Sequence, residues 1–158
     1  MCTRRLIFLI NYLVLAASCA YGFDSPRLGV FLSVGIALFG ALFALVCISL
    51  GIVVHRSFPK KHERASDFPE LLTTGPYAYV RHPFYSVLIA LNYAISIVFV
   101  SIYAVIASTL VIPLWWYLAK SEEVDLVHVW GKRYIEYRKK VPMFFPRARQ
   151  QTMNSRSE

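Results

Sequence analysis

The chain has 158 residues and a mass of 18.1 kDa; 57% of its residues are hydrophobic and 16% are charged. A soluble domain carries about 25% charged residues, whereas residues 6–23, 28–54 and 83–119 here carry none. This composition excludes a water-soluble globular fold and a disordered chain. Lipid offers the backbone no hydrogen bonds, so such stretches form helices or a closed barrel, and they lack the alternation of barrel strands. We therefore predict an all-α integral membrane helical bundle of one domain.

The first two uncharged stretches predict membrane-spanning helices over residues 6–23 and 28–54, because a span needs about 20 residues. The polar residues 24–27 mark the turn between them. A cleaved signal peptide is an alternative for the first stretch, since two arginines precede an apolar run that ends in small residues at 17–20.

The third uncharged stretch is too long for one span and slightly short for two. It predicts a tight hairpin of two short helices, over residues 84–100 and 102–119, that turns near Ser101. The bundle then has four transmembrane helices.

Lysine and arginine define the orientation, because cytoplasmic loops hold an excess of both. Only Arg27 of the 17 basic residues falls outside one face. Both termini, a loop over residues 55–83 and a segment over residues 120–146 are thus predicted to be cytoplasmic, with a disordered tail at 147–158. The net charge of +8 indicates this topology and attraction to anionic lipid rather than nucleic acid binding.

Candidate chemistry flanks the hairpin. If its two arms are equal, the helix rise returns Glu122 and Glu123 to the level of Arg81 and His82. A basic pair then faces an acidic pair at the cytoplasmic membrane surface. Adjacent carboxylates repel each other unless a cation lies between them. Arg81 is one such cation, and a ligand ammonium or sulfonium is another.

Two further patterns adjoin this cluster. Gly75-Pro76 predicts a turn, and Pro83 is placed to begin a helix; the junction is either a plain connection or a site where N–H groups bind an anionic group. Residues 124–141 predict an amphipathic interfacial helix with a break or close contact at Gly131. The histidines show no ligand spacing, so we assign no metal.

Together these motifs resemble the isoprenylcysteine carboxyl methyltransferase and phospholipid methyltransferase family of integral membrane enzymes. The family pattern is a GPY turn, RHP-x-Y, a helical hairpin, a Glu-Glu pair, and an aromatic G-x-x-Y-x-x-Y segment that ends near V-P and a final proline. The resemblance covers about residues 70–147. The pattern appears here as Gly75-Pro76-Tyr77, Arg81-His82-Pro83-Phe84-Tyr85, Glu122-Glu123, Trp130-Gly131, Tyr134, Tyr137, Val141-Pro142 and Pro146.

The resemblance implies that S-adenosylmethionine binds at the cytoplasmic end of the hairpin. Backbone groups of the turn and His82 would hold its aminoacyl end, and the Glu pair its ammonium. Aromatic faces suit a flat base and a sulfonium. Arg81 and Glu122 are the implied catalytic residues, with Arg81 orienting an anionic acceptor. The implied cofactor-binding residues are Gly75, Pro76, Tyr77, Tyr79, His82, Tyr85, Glu122, Glu123, Tyr134 and Tyr137.

The expected activity is methyl transfer to a membrane lipid or prenylated acceptor that enters from the bilayer. The acceptor group is a prenylcysteine carboxylate or an amino-phospholipid head group. One alternative is a sterol-type membrane reductase, but NADPH would call for more basic residues around the site. The other is a non-catalytic four-helix membrane protein.

One position departs from the family pattern. The family usually has glycine two residues after the RHP-x-Y tyrosine, and this chain has Val87. If that glycine leaves room for the cofactor or for a neighbouring helix, we expect Val87 to narrow this space.

Overall fold

The computed structural model describes residues 2–22, 29–57 and 70–146. Within these ranges the regular structure is entirely helical. The predicted turn at 24–27 and tail at 147–158, and much of the 55–83 loop, lie outside the described residues. The helices are α1 (Cys2–Gly22), α2 (Val30–Arg56), α3 (Pro83–Val98), α4 (Ile102–Trp130) and α5 (Lys132–Lys140), with a 3₁₀ turn at Gly75–Ala78.

Two helices, α2 and α4, are long and apolar enough to cross a membrane. The apolar parts of α1 and α3 are shorter, at Arg5–Ala20 and Pro83–Val98. The fold is therefore that of a helical membrane protein with two candidate spans, and the arrangement of four spans stays a prediction. If α4 crosses the hydrocarbon over the predicted residues 102–119, its part beyond Ala119 lies outside the hydrocarbon.

The helices pack around the α3–α4 hairpin, with α2 along α3 and α1 against α4. Close approach of α2 to α3 depends on Gly40, where an added Cβ would lie 2.6 Å from the backbone nitrogen of Val98. Most of the remaining surface of α2 is exposed and apolar. Gly40 thus lets α3 approach α2 closely.

The hairpin turns where the sequence predicts. α3 ends at Val98, and Ser101 caps α4 by accepting a hydrogen bond from the N–H of Ala104 at 3.2 Å. The N–H groups of Val100 and Ser101 donate to the carbonyls of Ile97 and Ser96, which is the Schellman pattern. Val100 has φ +50°, a left-handed conformation in which this motif usually has glycine.

The end of α4 differs from the prediction. α4 continues 11 residues past 119 without a break, and the chain turns instead at Gly131, whose φ is +52°. The amphipathic segment predicted over residues 124–141 is divided at Gly131, where the sequence predicts a break or close contact. Glycine readily adopts the left-handed conformation that this turn requires. Glu123 lies within α4, because its charge is paired with Arg81.

Val87 faces α2. A Cβ added to Gly51 of α2 would lie 3.4 Å from Cγ1 of Val87. Val87 on α3 therefore packs against Gly51 on α2. The space that we expect Val87 to narrow is the one between these two helices.

Candidate active site

The chain enters α3 through a short turn and a proline junction. The 3₁₀ turn at Gly75–Ala78 contains Pro76, and Gly75 has φ +60°, which favours glycine. Pro83 begins α3, where its missing N–H costs no helical hydrogen bond, and the buried His82 precedes it. The predicted turn and the predicted helix start are both present.

Arg81 is bound to groups of the protein itself. Its Nε donates to Oε1 of Glu123 at 2.8 Å, and its Nη2 lies 2.7 Å from the same oxygen. Its Nη1 donates to the carbonyls of Arg138 at 3.0 Å and of Val141 at 2.6 Å. The side chain is only 8% exposed. The guanidinium therefore fastens both α4 and the end of α5 to the start of α3.

His82 lies between the two carboxylates. Its Nδ1 is 3.8 Å from Oε2 of Glu122, and its Nε2 is 3.5 Å from Oε1 of Glu123. Tyr85, one turn into α3, donates to Oε1 of Glu122 at 2.6 Å. The basic and acidic pairs therefore meet, as the equal arms of the hairpin predict.

The two carboxylates have different surroundings. The side chain of Glu123 is 2% exposed, whereas that of Glu122 is 24% exposed. Burial raises the pKa of Glu123, but the close contact with His82, the hydrogen bond from Arg81 and the charges of both residues outweigh burial and lower the pKa to about 2. Glu123 is therefore ionised at neutral pH and bound within the protein, and Glu122 is the more accessible of the two.

The segment after α5 pairs with the chain before α3. The N–H groups of Arg81 and His82 donate to the carbonyls of Pro142 and Met143 at 2.8 and 3.1 Å. Phe144 is buried, with its ring centroid 6.2 Å from that of His82. Main-chain hydrogen bonds thus close one side of the charged cluster.

Three tyrosines form a second cluster beside the first. Tyr137 donates its hydroxyl to the carbonyl of Tyr77 at 2.6 Å, and the rings of Tyr134 and Tyr137 lie 5.9 Å apart. Burial raises the pKa of Tyr137 to about 12 and also raises the pKa of Tyr134. Among the described residues, the buried hydroxyl of Tyr134 has no hydrogen-bond partner. It is a neutral, buried donor whose hydrogen-bonding capacity is unused.

The predicted site residues divide by location. Arg81, His82, Tyr85 and the Glu pair form the charged cluster, and three of the five tyrosines form the second. Tyr79 is instead 70% exposed, and Gly75 lies at the surface of its turn. The predicted roles of all these residues toward a ligand stay predictions.

Sequence reasoning missed Trp115 as a neighbour of the site. Its ring is 1% exposed and lies 5.6 Å from that of Tyr85. The available signal was helical spacing, since Trp115 precedes Glu122 by two helical turns and so shares its face. The carbonyl partners of Arg81 carry no sequence signal, because any residue supplies a carbonyl.

This combination, apolar helices with a buried charged cluster at the ends of a hairpin, defines a helical membrane protein with a candidate catalytic centre. Residues 28–133, more than half of the chain, match the phospholipid methyltransferase family. The chain therefore belongs to that family, which implies a membrane methyltransferase. Comparison with curated proteins gave no match.

Proposed function

We propose that the protein is an S-adenosylmethionine-dependent methyltransferase that acts on a lipid-like acceptor held in the membrane. The acceptor group is the carboxylate of an isoprenylcysteine, methylated on oxygen, or the head group of an amino-phospholipid, methylated on nitrogen. In this proposal four helices span the bilayer, and the charged cluster lies at the cytoplasmic surface. The family generally depends on this cofactor.

The observation that carries the proposal is the difference between the two carboxylates. Glu123 is bound by Arg81 and is 2% exposed, whereas Glu122 is 24% exposed beside it. A partly exposed carboxylate at the edge of a membrane is suited to the ammonium of the cofactor's aminoacyl end. The buried, unpartnered hydroxyl of Tyr134 supplies a donor for one of the cofactor's oxygens. The groups present thus fit this cofactor.

When bound, S-adenosylmethionine supplies an activated methyl group on a sulfonium, so the protein needs little covalent chemistry. Glu122 holds the ammonium, and Tyr85 orients Glu122 through its hydroxyl hydrogen bond. Tyr134 and Tyr137 cover the adenosine and exclude water. Alignment and exclusion of water account for most of the rate enhancement.

Arg81 acts in this proposal mainly as a positioning residue. Each of its three nitrogen atoms already contacts the protein, at Glu123, Arg138 or Val141. Its guanidinium keeps the start of α3 and the end of α5 together while the acceptor approaches sideways from the bilayer. Before Arg81 could orient an anionic acceptor, one of these contacts would have to break and be replaced by a contact with the acceptor.

Family membership favours methyl transfer over the two alternatives drawn from the sequence. The acidic charge of Glu122 also disfavours NADPH, which carries several phosphates and would be repelled. A non-catalytic protein would have no need of a partly exposed glutamate held by a tyrosine hydroxyl.

Binding of S-adenosylhomocysteine to the detergent-purified protein, measured by calorimetry with NADPH in parallel, tests the cofactor. We expect saturable binding of S-adenosylhomocysteine alone. Glu122→Gln should weaken it about tenfold or more, because a neutral amide oxygen replaces the charged acceptor of the ammonium's hydrogen bond. The matched control is Asp125→Asn, an exposed acid on the same helix, which should bind like the unaltered protein. Equal binding by the Glu122→Gln variant would refute the role of Glu122.

Transfer of a radiolabelled methyl group tests the acceptor. One reaction contains vesicles with phosphatidylethanolamine, and another contains a farnesylated cysteine analogue. A methyl ester releases methanol in base, whereas an N-methyl group does not, so the product distinguishes oxygen from nitrogen. Labelling of neither acceptor by a protein that binds the cofactor would contradict both acceptor classes.

A further inference from the structure

The first helix lies outside the part of the chain that matches the family, yet it packs against the site. The match begins at residue 28, and α1 ends at Gly22. Phe8 of α1 contacts Trp115 of α4 with ring centroids 5.0 Å apart at 85°, an edge-to-face geometry. The adjacent Ile7 is 5% exposed in the same core. α1 therefore contributes to the core beneath the charged cluster.

A buried amide pair defines the register of α1. Asn11 and Asn92 donate to each other's carbonyl oxygen, at 3.4 and 2.7 Å, and are 2% and 4% exposed. Nearer the other end of α1, Ser101 donates to the carbonyl of Ser18 at 3.0 Å. An amide without a partner is costly away from water, so a shift of α1 by one turn is disfavoured. Phe8 is thus held at one level of the bundle.

Phe8 is linked to the carboxylate of Glu122 through Trp115 and Tyr85. The ring of Trp115 lies 5.6 Å from that of Tyr85, and the hydroxyl of Tyr85 lies 2.6 Å from Glu122. Trp115 is 1% exposed, and its Nε1 has no hydrogen-bond partner among the described residues. Ring packing rather than a hydrogen bond therefore orients the indole, and that packing includes Phe8.

We propose that α1 is a positioning element of the active site, and that Phe8 is its positioning residue. Phe8 holds Trp115 against Tyr85, which keeps the tyrosine hydroxyl on Glu122, and the Asn11–Asn92 pair keeps Phe8 at this level. This inference rests on the proposed function, because it gives Glu122 a ligand to hold. The enzyme would thus require a helix that lies outside the residues matched to the family.

The test uses Phe8→Leu, which keeps apolar volume and removes the ring. We expect S-adenosylhomocysteine to bind about two- to tenfold more weakly, the range that corresponds to an edge-to-face contact, with a small fall in thermal stability because the same contact packs the core. Phe8→Tyr keeps the ring and should restore binding. Leu9→Ala, on the neighbouring residue that is 56% exposed, should leave binding unchanged.

Coupling to Tyr85 separates positioning from general packing. If Phe8 acts through the tyrosine hydroxyl, Phe8→Leu should have no further effect in a Tyr85→Phe protein. An equal effect in both backgrounds, or no effect in either, would overturn the inference.

A spectroscopic measurement does not depend on the cofactor. In a protein with Trp116→Phe and Trp130→Phe, the fluorescence of Trp115 should change with Phe8→Leu and not with Leu9→Ala. An unchanged spectrum would mean that Phe8 does not orient the indole. Failure of the unaltered protein to bind S-adenosylhomocysteine would overturn the proposed function and this inference together. Binding that Phe8→Leu leaves unchanged would overturn the inference alone.

Discussion

At the scale of single residues, Glu122 and Glu123 acquire different properties although they are identical and adjacent. Successive positions on a helix point about 100° apart, so Glu123 turns toward Arg81 and Glu122 toward Tyr85. One carboxylate is therefore paired with Arg81 inside the protein, and the other is bound by Tyr85 and partly exposed. The two residues are expected to act in different ways.

Glu123 should make stability depend on pH. Its pKa is about 2 in the folded protein against an ordinary value of 4.5. A lowered pKa stabilises the folded state fully above pH 4.5, and this contribution is lost as the pH falls toward 2. We expect Glu123→Gln to lower the free energy of unfolding at neutral pH by about 3 kcal/mol and so to lower the unfolding temperature. The variant should lose less stability on acidification than the unaltered protein does. Thermal unfolding in detergent from pH 7 to pH 3 measures both.

Glu136→Gln is the control for this experiment, because Glu136 is an exposed acid on α5. Its unfolding should follow the unaltered protein at each pH. If Glu123→Gln and the unaltered protein lose stability in parallel below pH 4.5, the carboxylate does not carry the ion pair described above.

The sequence predicts the meeting of Arg81 with the Glu pair, because the two motifs stand at equal distances from the turn of the hairpin. It does not predict which glutamate Arg81 binds, since the choice depends on the rotation of α4 by one residue. Nor does it predict the carbonyl of Val141 as a partner. Every residue has a backbone carbonyl, so the residue type does not indicate which carbonyl accepts the hydrogen bond.

At the scale of helices, the contact of α2 with α3 depends on one glycine. A Cβ at Gly40 would lie 2.6 Å from the nitrogen of Val98 and 2.9 Å from the carbonyl carbon of Ile97. Backbone cannot rotate aside, so Gly40→Ala should lower the free energy of unfolding by about 2 kcal/mol. Gly35→Ala on the same helix meets no atom within 4 Å and should be neutral or slightly stabilising. If Gly40→Ala changes stability no more than Gly35→Ala does, α2 and α3 do not depend on close contact at Gly40.

The hairpin turn offers the opposite case, in which a natural residue is strained. Val100 has φ +50°, which is unfavourable for a branched side chain. Val100→Gly should raise the free energy of unfolding by about 1 kcal/mol, because the left-handed conformation costs other residues about 1–2 kcal/mol and glycine little. Thermal unfolding measures this change. A lower unfolding temperature would show that the side chain's packing exceeds the strain.

The helix ends show why some boundaries can be predicted and others cannot. Pro83 and the polar turn residue Ser101 mark boundaries by local chemistry, and the structure has both. The predicted span ends at 119 because charges begin there. Charge marks the edge of a span and not the end of a helix, so α4 continues until Gly131 permits a turn.

At the scale of the whole molecule, the α3–α4 hairpin contributes both to the packing of the bundle and to the charged cluster. It packs against α1 and α2, and its Asn92 pairs with Asn11 of α1. At one end of the hairpin, basic and acidic residues meet. With the predicted span at residues 102–119, α4 extends beyond the hydrocarbon, and α5 and the following segment fold back on the start of α3. One long helix thus connects membrane insertion to assembly of the site.

This arrangement predicts that the two ends of α4 lie on opposite sides of the membrane. The test replaces the three native cysteines and introduces Ile102→Cys or Lys132→Cys, both at exposed positions. A maleimide that cannot cross membranes should label Ile102→Cys in intact cells of a bacterial host, and Lys132→Cys only after lysis, because basic residues such as those of α5 remain cytoplasmic. Labelling of both in intact cells would place the charged cluster outside, where S-adenosylmethionine is not supplied. Labelling of neither before lysis would make the hairpin re-entrant, so that α3 and α4 would not be spans and the four-span arrangement would be wrong.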